Sequence, residues 1–148
     1  MAALGILVAA IVYVLAHRWV ARRIGPPFRI AIDNPAGAQP NAILDVTCCR
    51  QMEEVVFVHL TGRVRNVGPR PLKMVIARAR YFDREGHEIA SAQSMVNKPV
   101  LEPGDKPADF MITTPVNLAI TRATVDFRQP AGQPIPARYR DFGFNLSD

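Results

Sequence analysis

Hydrophobic and polar positions divide this chain into two unlike parts. Ala2 to Ala16, AALGILVAAIVYVLA, carries no charge, side-chain amide or proline. A helix that is apolar all round has no face to give to water, so it belongs in protein or lipid. The helical pattern runs on through His17–Ile24 and stops at Gly25-Pro26-Pro27, since glycine suits a helix end and proline cannot continue one. Residues 1–24 would extend roughly 36 Å at about 1.5 Å per residue, enough for a hydrocarbon layer of roughly 30 Å. Trp19 suits the headgroup level, and Arg18, Arg22 and Arg23 can snorkel there. The pattern predicts a single transmembrane helix with a membrane interface at Arg18, Trp19, Arg22 and Arg23. Two other readings compete. A cleaved signal peptide would need a basic start, which is absent, and Val14-Leu15-Ala16 makes a poor cleavage site. A buried helix of a soluble core would need a returning helix to pack on.

Beyond Gly25 the helical period gives way to alternation. Residues 25–41 read as a Pro-rich linker with strand character only at Phe28–Ile32. Ala42–Cys49 has the β-branched content of a strand. Glu54–Asn66 alternates most clearly: Val56, Val58, Leu60, Gly62 and Val64 share one face, and Val55, Phe57, His59, Thr61, Arg63 and Arg65 the other. Leu72–Phe82 reads as the next strand, with Val75, Ala77, Ala79 and Tyr81 on one face. Asp83-Arg84-Glu85-Gly86 predicts a hairpin turn that needs Gly86 at positive φ. His87–Val96, Ala108–Thr114 and Ala119–Arg128 follow as strands, separated by the turn Leu101–Asp105. Short strands at regular spacing with turn signals between them predict an all-β, antiparallel, immunoglobulin-like β-sandwich over residues 42–128. Its expected core is Val58, Leu60, Val64, Val75, Tyr81, Phe110, Val125 and Phe127. Residues 129–148, interrupted by Pro130, Gly132, Pro134 and Pro136, predict an extended C-terminal tail. Tyr139, Phe142, Phe144 and Leu146 make that tail unusually apolar. It either docks on a partner or folds back as an edge strand.

Charge refines the placement. The chain carries +5 overall, with a pI near 9.8. Arg18, Arg22, Arg23 and Arg29 cluster at the membrane exit, and the other basic residues nearly balance the acidic ones. The pI therefore reports a collar suited to anionic lipid headgroups. The rest lacks the summed positive field of a nucleic-acid binder. The positive-inside rule puts the N-terminus outside and the domain in the cytoplasm. The only cysteines are Cys48 and Cys49. Neighbours on a regular strand point to opposite faces, so they are expected neither to share a ligand nor to form a relaxed bridge. No zinc-type spacing is present, and the absence of a disulfide framework favours a reducing compartment.

Candidate chemistry is sparse. The histidines are His17, His59 and His87, and the serines Ser91, Ser94 and Ser147. None is spaced as a nucleophile, base and orienter, and no Gly-rich phosphate loop occurs. The expectation is a chain that is not an enzyme and needs no cofactor. Arg63 and Arg65 share a face of one strand, and Arg78 and Arg80 a face of the next. If those strands lie in one sheet, four guanidinium groups gather on one face. Such a face would be either salt-bridged and solvated or a docking surface for an acidic partner.

The motifs Gly62-Arg-Val64-Arg-Asn66, Ala79-Arg-Tyr81-Phe82-Asp83 before Gly86, and Leu101-Glu-Pro103-Gly104-Asp105 before Phe110 resemble FxLYD-type domains of bacterial membrane-anchored proteins. The resemblance covers about Val55 to Phe127. It departs at the name-giving motif, where Ala79 stands for Phe and Tyr81 for Leu. It implies an immunoglobulin-like sandwich without known catalytic residues. Many such domains lie outside the cytoplasm, which makes a periplasmic domain the alternative placement.

These readings converge on a non-catalytic, single-pass accessory subunit set against a larger energy-transducing or transport complex. The expected partners are the lipid bilayer, anionic headgroups and other subunits of a membrane complex, not nucleic acid. The residues expected to bind a partner are Arg63, Arg65, Arg78, Arg80, Tyr139, Phe142 and Phe144. The alternative is an assembly or metal-delivery factor using Cys48 and Cys49.

Overall fold

The computed structural model describes residues 28–33, 42–54 and 56–140. The helix expected over 1–24, with Arg18, Trp19, Arg22 and Arg23, lies outside them, as do Phe142 and Phe144. Among the described residues no helix is long and apolar enough to cross a membrane. The strands are β1 (Arg29–Ile32), β2 (Leu44–Glu53), β3 (Phe57–Asn66), β4 (Leu72–Lys73), β5 (Ile76–Phe82), β6 (Glu88–Met95), β7 (Val100–Leu101), β8 (Ala108–Pro115), β9 (Arg122–Arg128) and β10 (Ala137–Tyr139). They form two four-stranded sheets, ordered β1-β9-β5-β6 and β10-β2-β3-β8, and a small β4-β7 pair.

Alternation explains how the two larger sheets share a core. In β3 and β8 every second residue is buried, because successive side chains on a strand point to opposite faces. All eight core residues expected from the sequence are buried. Phe110 of β8 meets Phe127 of β9 edge to face, with ring centroids 5.4 Å apart, which joins the two sheets. Gly62 leaves room for that Phe110 ring. A Cβ there would lie 2.5 Å from the ring and 2.7 Å from the Thr47 carbonyl oxygen, inside any real contact distance.

Three expectations need correction. The sheets are mixed rather than wholly antiparallel, since β1 pairs with β9 and β10 with β2 in parallel. Each of these short strands is laid on a sheet edge by a connection from elsewhere in the fold, a pairing that local alternation cannot report. Leu72–Phe82 is not one strand. It breaks at Met74, whose φ of 52° no strand residue adopts, so that Leu72–Lys73 pairs with β7 instead. Residues 129–148 are not wholly an extended tail. The Ile135 amide bonds the Phe127 carbonyl at 2.8 Å, Ile135 and Ala137 are buried, and β10 extends the β2 sheet. By contrast the Asp83–Gly86 hairpin forms as read, with Gly86 at φ 89° and its amide bonded to the Asp83 carbonyl.

Tyr81 yields a test of the core. It is fully buried and its hydroxyl has no hydrogen-bond partner among the described residues. Burial pushes its pKa up to about 12 from 10.0. A raised folded pKa contributes stability that is complete below pH 10 and is lost as pH rises toward 12. Tyr81→Phe removes both the unpaired hydroxyl and the titration. It should raise stability by about 1 kcal/mol at neutral pH. It should also flatten the alkaline loss, read from melts across that pH range.

Candidate interaction surfaces

Arg63 and Arg65 lie on β3, Arg78 and Arg80 on β5. These strands belong to different sheets, so the four guanidinium groups do not gather on one face. They sit on opposite outer faces of the two-sheet stack. Periodicity assigns a residue to a face of its strand, but it does not assign the strand to a sheet.

On the outer face of the β10-β2-β3-β8 sheet the organising residue is Asp45, whose side chain is fully buried. Register sets its neighbours: Arg65 of β3 stands opposite on one side and Arg138 of β10 on the other. Arg138 Nε donates to Asp45 Oδ1 at 2.5 Å, Arg65 Nη2 to Oδ2 at 3.3 Å and Arg140 Nη1 to Oδ2 at 3.4 Å. Burial alone would raise the Asp45 pKa, but the hydrogen bonds from Arg138 and Arg65 and the charges of Arg138 and Arg140 hold it below the ordinary value. One row further along, Arg63 Nε donates to Asp109 Oδ1 at 3.0 Å, and the Thr47 hydroxyl donates to the Arg140 carbonyl at 2.6 Å. Four arginines thus meet two aspartates. Arg138 and Arg140 keep 43% and 57% of their side-chain surface in water, so they remain available to a second anion.

The outer face of the β1-β9-β5-β6 sheet is built likewise around Asp126. Arg78 donates to it through Nε and Nη2 at 3.1 and 2.8 Å, and Arg128 Nε at 2.7 Å. Arg80 pairs with Asp33. Arg122 lies over the Phe82 ring, 4.4 Å from its centroid.

The other candidates are simpler. Tyr139 projects into water, 61% exposed. Cys48 and Cys49 are half-buried, at the point where the β2–β3 register shifts between Cys48 and Arg50. Among the described residues, no three His, Cys, Asp or Glu side chains group as a metal set. His59 Nδ1 lies 2.9 Å from the Thr113 hydroxyl, and His87 is exposed beside Asp83. An open depression of about 420 Å³ lies where β3 and β8 meet the end of β6, lined in part by Met95, Met111, Arg63 and Asp109.

The motif residues are framework. Asn66 is fully buried, and its Nδ2 donates to the carbonyls of Arg70 and Leu101 at 2.7 and 2.8 Å, while its Oδ1 accepts from the Gly68 amide at 2.9 Å. The Gly104 amide bonds the Asn66 carbonyl at 3.1 Å. One asparagine thus ties the turn after β3 to the turn after β7. Sequence reasoning missed Asp45, although a lone carboxylate inside the run Ala42–Cys49 was its signal. No family model matches the chain, and no curated protein sequence does.

Proposed function

We propose that this chain is a non-catalytic, single-pass accessory subunit or interaction module of a bacterial inner membrane. It presents a β-sandwich to a larger energy-transducing or transport complex. The observation that carries the reading is the uncharged run Ala2–Ala16, closed by Arg18, Arg22 and Arg23 and followed at once by a folded β domain. Such a run demands burial, and lipid is the simplest place for it. Trp19 and the arginine collar mark the interface and meet anionic headgroups.

The strand order supports an immunoglobulin-like sandwich. β2-β3-β8 follows the A-B-E succession and β9-β5-β6 the F-C-C′ succession, with β1 in the place of G. The FxLYD-type resemblance agrees, since its Gly62, Asn66 and Gly104 serve the framework. Arg63 and Arg65 on one outer face, Arg78 and Arg80 on the other, and the tail residues Tyr139, Phe142 and Phe144 are the contacts offered to partner subunits. Arg and aromatic side chains suit such contacts because they combine area with directed hydrogen bonds.

Two measurements test this. Alkaline carbonate washing of membranes should leave the protein in the pellet, and mild-detergent extraction should bring partner subunits with it. Release by carbonate overturns the anchor, and a lone protein in gentle detergent overturns the accessory role. The arginine collar orients the domain toward the cytoplasm. A cysteine added near the C-terminus, in a background with Cys48 and Cys49 replaced by serine, should therefore escape an impermeant thiol reagent in intact cells. It should react after lysis. Labelling of intact cells would place the domain in the periplasm.

A further inference from the structure

One end of the domain gathers exposed apolar side chains at the point where the chain leads back to residue 27. Register defines that end. Arg29 of β1 pairs with Arg122, Arg122 with Phe82, and Phe57 with Pro115. The loops after β2, after β5 and after β8 therefore meet there. The Val116 amide bonds the Val56 carbonyl at 2.8 Å, and the Thr121 amide bonds the Phe82 carbonyl at 3.0 Å, which fixes the loops side by side. On them Leu118 is 63% exposed, Val56 61% and Phe57 41%.

We infer that this end rests on the bilayer, with Val56, Phe57 and Leu118 entering the boundary between headgroups and acyl chains. The inference rests on the reading of residues 1–24 as a membrane anchor. Tether length selects the bilayer as the occupant. Ile24 and Phe28 are four residues apart, a reach of at most roughly 14 Å at full extension, so the anchor keeps Phe28 near the membrane surface, and the Arg29 amide, bonded to the Thr121 carbonyl at 3.2 Å, keeps the loop after β8 beside it. Electrostatics does not drive the contact. Arg29, Arg84 and Arg122 at this end are offset by Glu54, Asp83, Glu85 and Glu88. Of these, Glu54 lies 3.4 Å from His59 Nε2, and Asp83 accepts from the His87 amide at 2.8 Å. Apolar insertion into the interface is the remaining attraction, and it requires no anionic lipid and little dependence on salt.

The test uses the full chain in neutral phosphatidylcholine vesicles, with Trp19→Phe as background. Leu118→Trp should emit at shorter wavelength than a solvated tryptophan. Lipids brominated near the headgroup end of the acyl chain should quench it, equally at low and high salt. Val56→Trp gives the same reading from the neighbouring loop. Val67→Trp, on the turn after β3 at the opposite end, should stay red-shifted and unquenched. If Leu118→Trp and Val56→Trp behave like Val67→Trp while the protein resists carbonate, the docking inference fails and the anchor stands. If carbonate releases the protein, the anchor itself fails and takes this inference with it.

Discussion

Truncating Phe127 to alanine is expected to cost about 3–5 kcal/mol of folding stability, the range for removing a large aromatic from a packed interior. Phe127 is 1% exposed and its ring is met edge-on by Phe110 from the opposing sheet. The change therefore removes both buried area and the contact that joins the two sheets. For a domain of this size each kcal/mol corresponds to about 4–8 °C in Tm, so far-UV circular dichroism melts of detergent-solubilised protein should register a large drop. Phe57→Ala is the matched control. Phe57 is 41% exposed, and its loss should move the melt little. Equal shifts for the two variants would mean that the sheets do not share the core described.

Asp45→Ala should cost about 3 kcal/mol, the low end for breaking a buried ion pair. It leaves Arg65, Arg138 and Arg140 without their common anion. The cost stays at the low end because Arg138 and Arg140 keep much of their water. The same residue sets an acid limit. Its carboxyl is held below the ordinary carboxylate range, so the stability it contributes is present above its unfolded pKa of 3.8 and is lost as pH falls through the lower folded value. Asp83 and Asp105, also depressed, act in the same direction. Urea titrations from neutral pH into the acid range should show the wild type losing stability more steeply than Asp45→Asn. Parallel curves would show that the three guanidinium groups do not hold this carboxylate.

The central strands were legible because their amphipathic period is long and unbroken. Phe57–Asn66 alternates across ten residues, and its buried face could be named residue by residue. The edges were not legible. β1 and β10 have four and three residues, too few for a period to show. Their parallel pairing is decided by distant segments. Met74 hid the break between β4 and β5, since nothing in its side chain announces a positive φ. Alternation puts each arginine pair on one face of its strand, but their grouping depends on which sheet each strand joins. Asp45 does not stand out in the sequence, because a single carboxylate in the largely apolar run Ala42–Cys49 carries no period of its own. Its importance appears only once Arg65 and Arg138 are brought beside it from sequence separations of 20 and 93 residues.

The parallel pairing of β1 has a mechanical meaning. β1 lies beside β9 over Arg29–Ile32, running in the same direction, and it is the strand closest to the chain's N-terminal stretch. Tension applied at Phe28, with the rest of the domain held by a bound partner, pulls β1 along its own axis. The inter-strand bonds are then loaded together in shear instead of being peeled one after another. Ile30 and Ile32, packed against the core, would have to slide along β9 at the same moment. On the proposed anchoring of residues 1–24, this four-residue strand is the clasp between tether and domain.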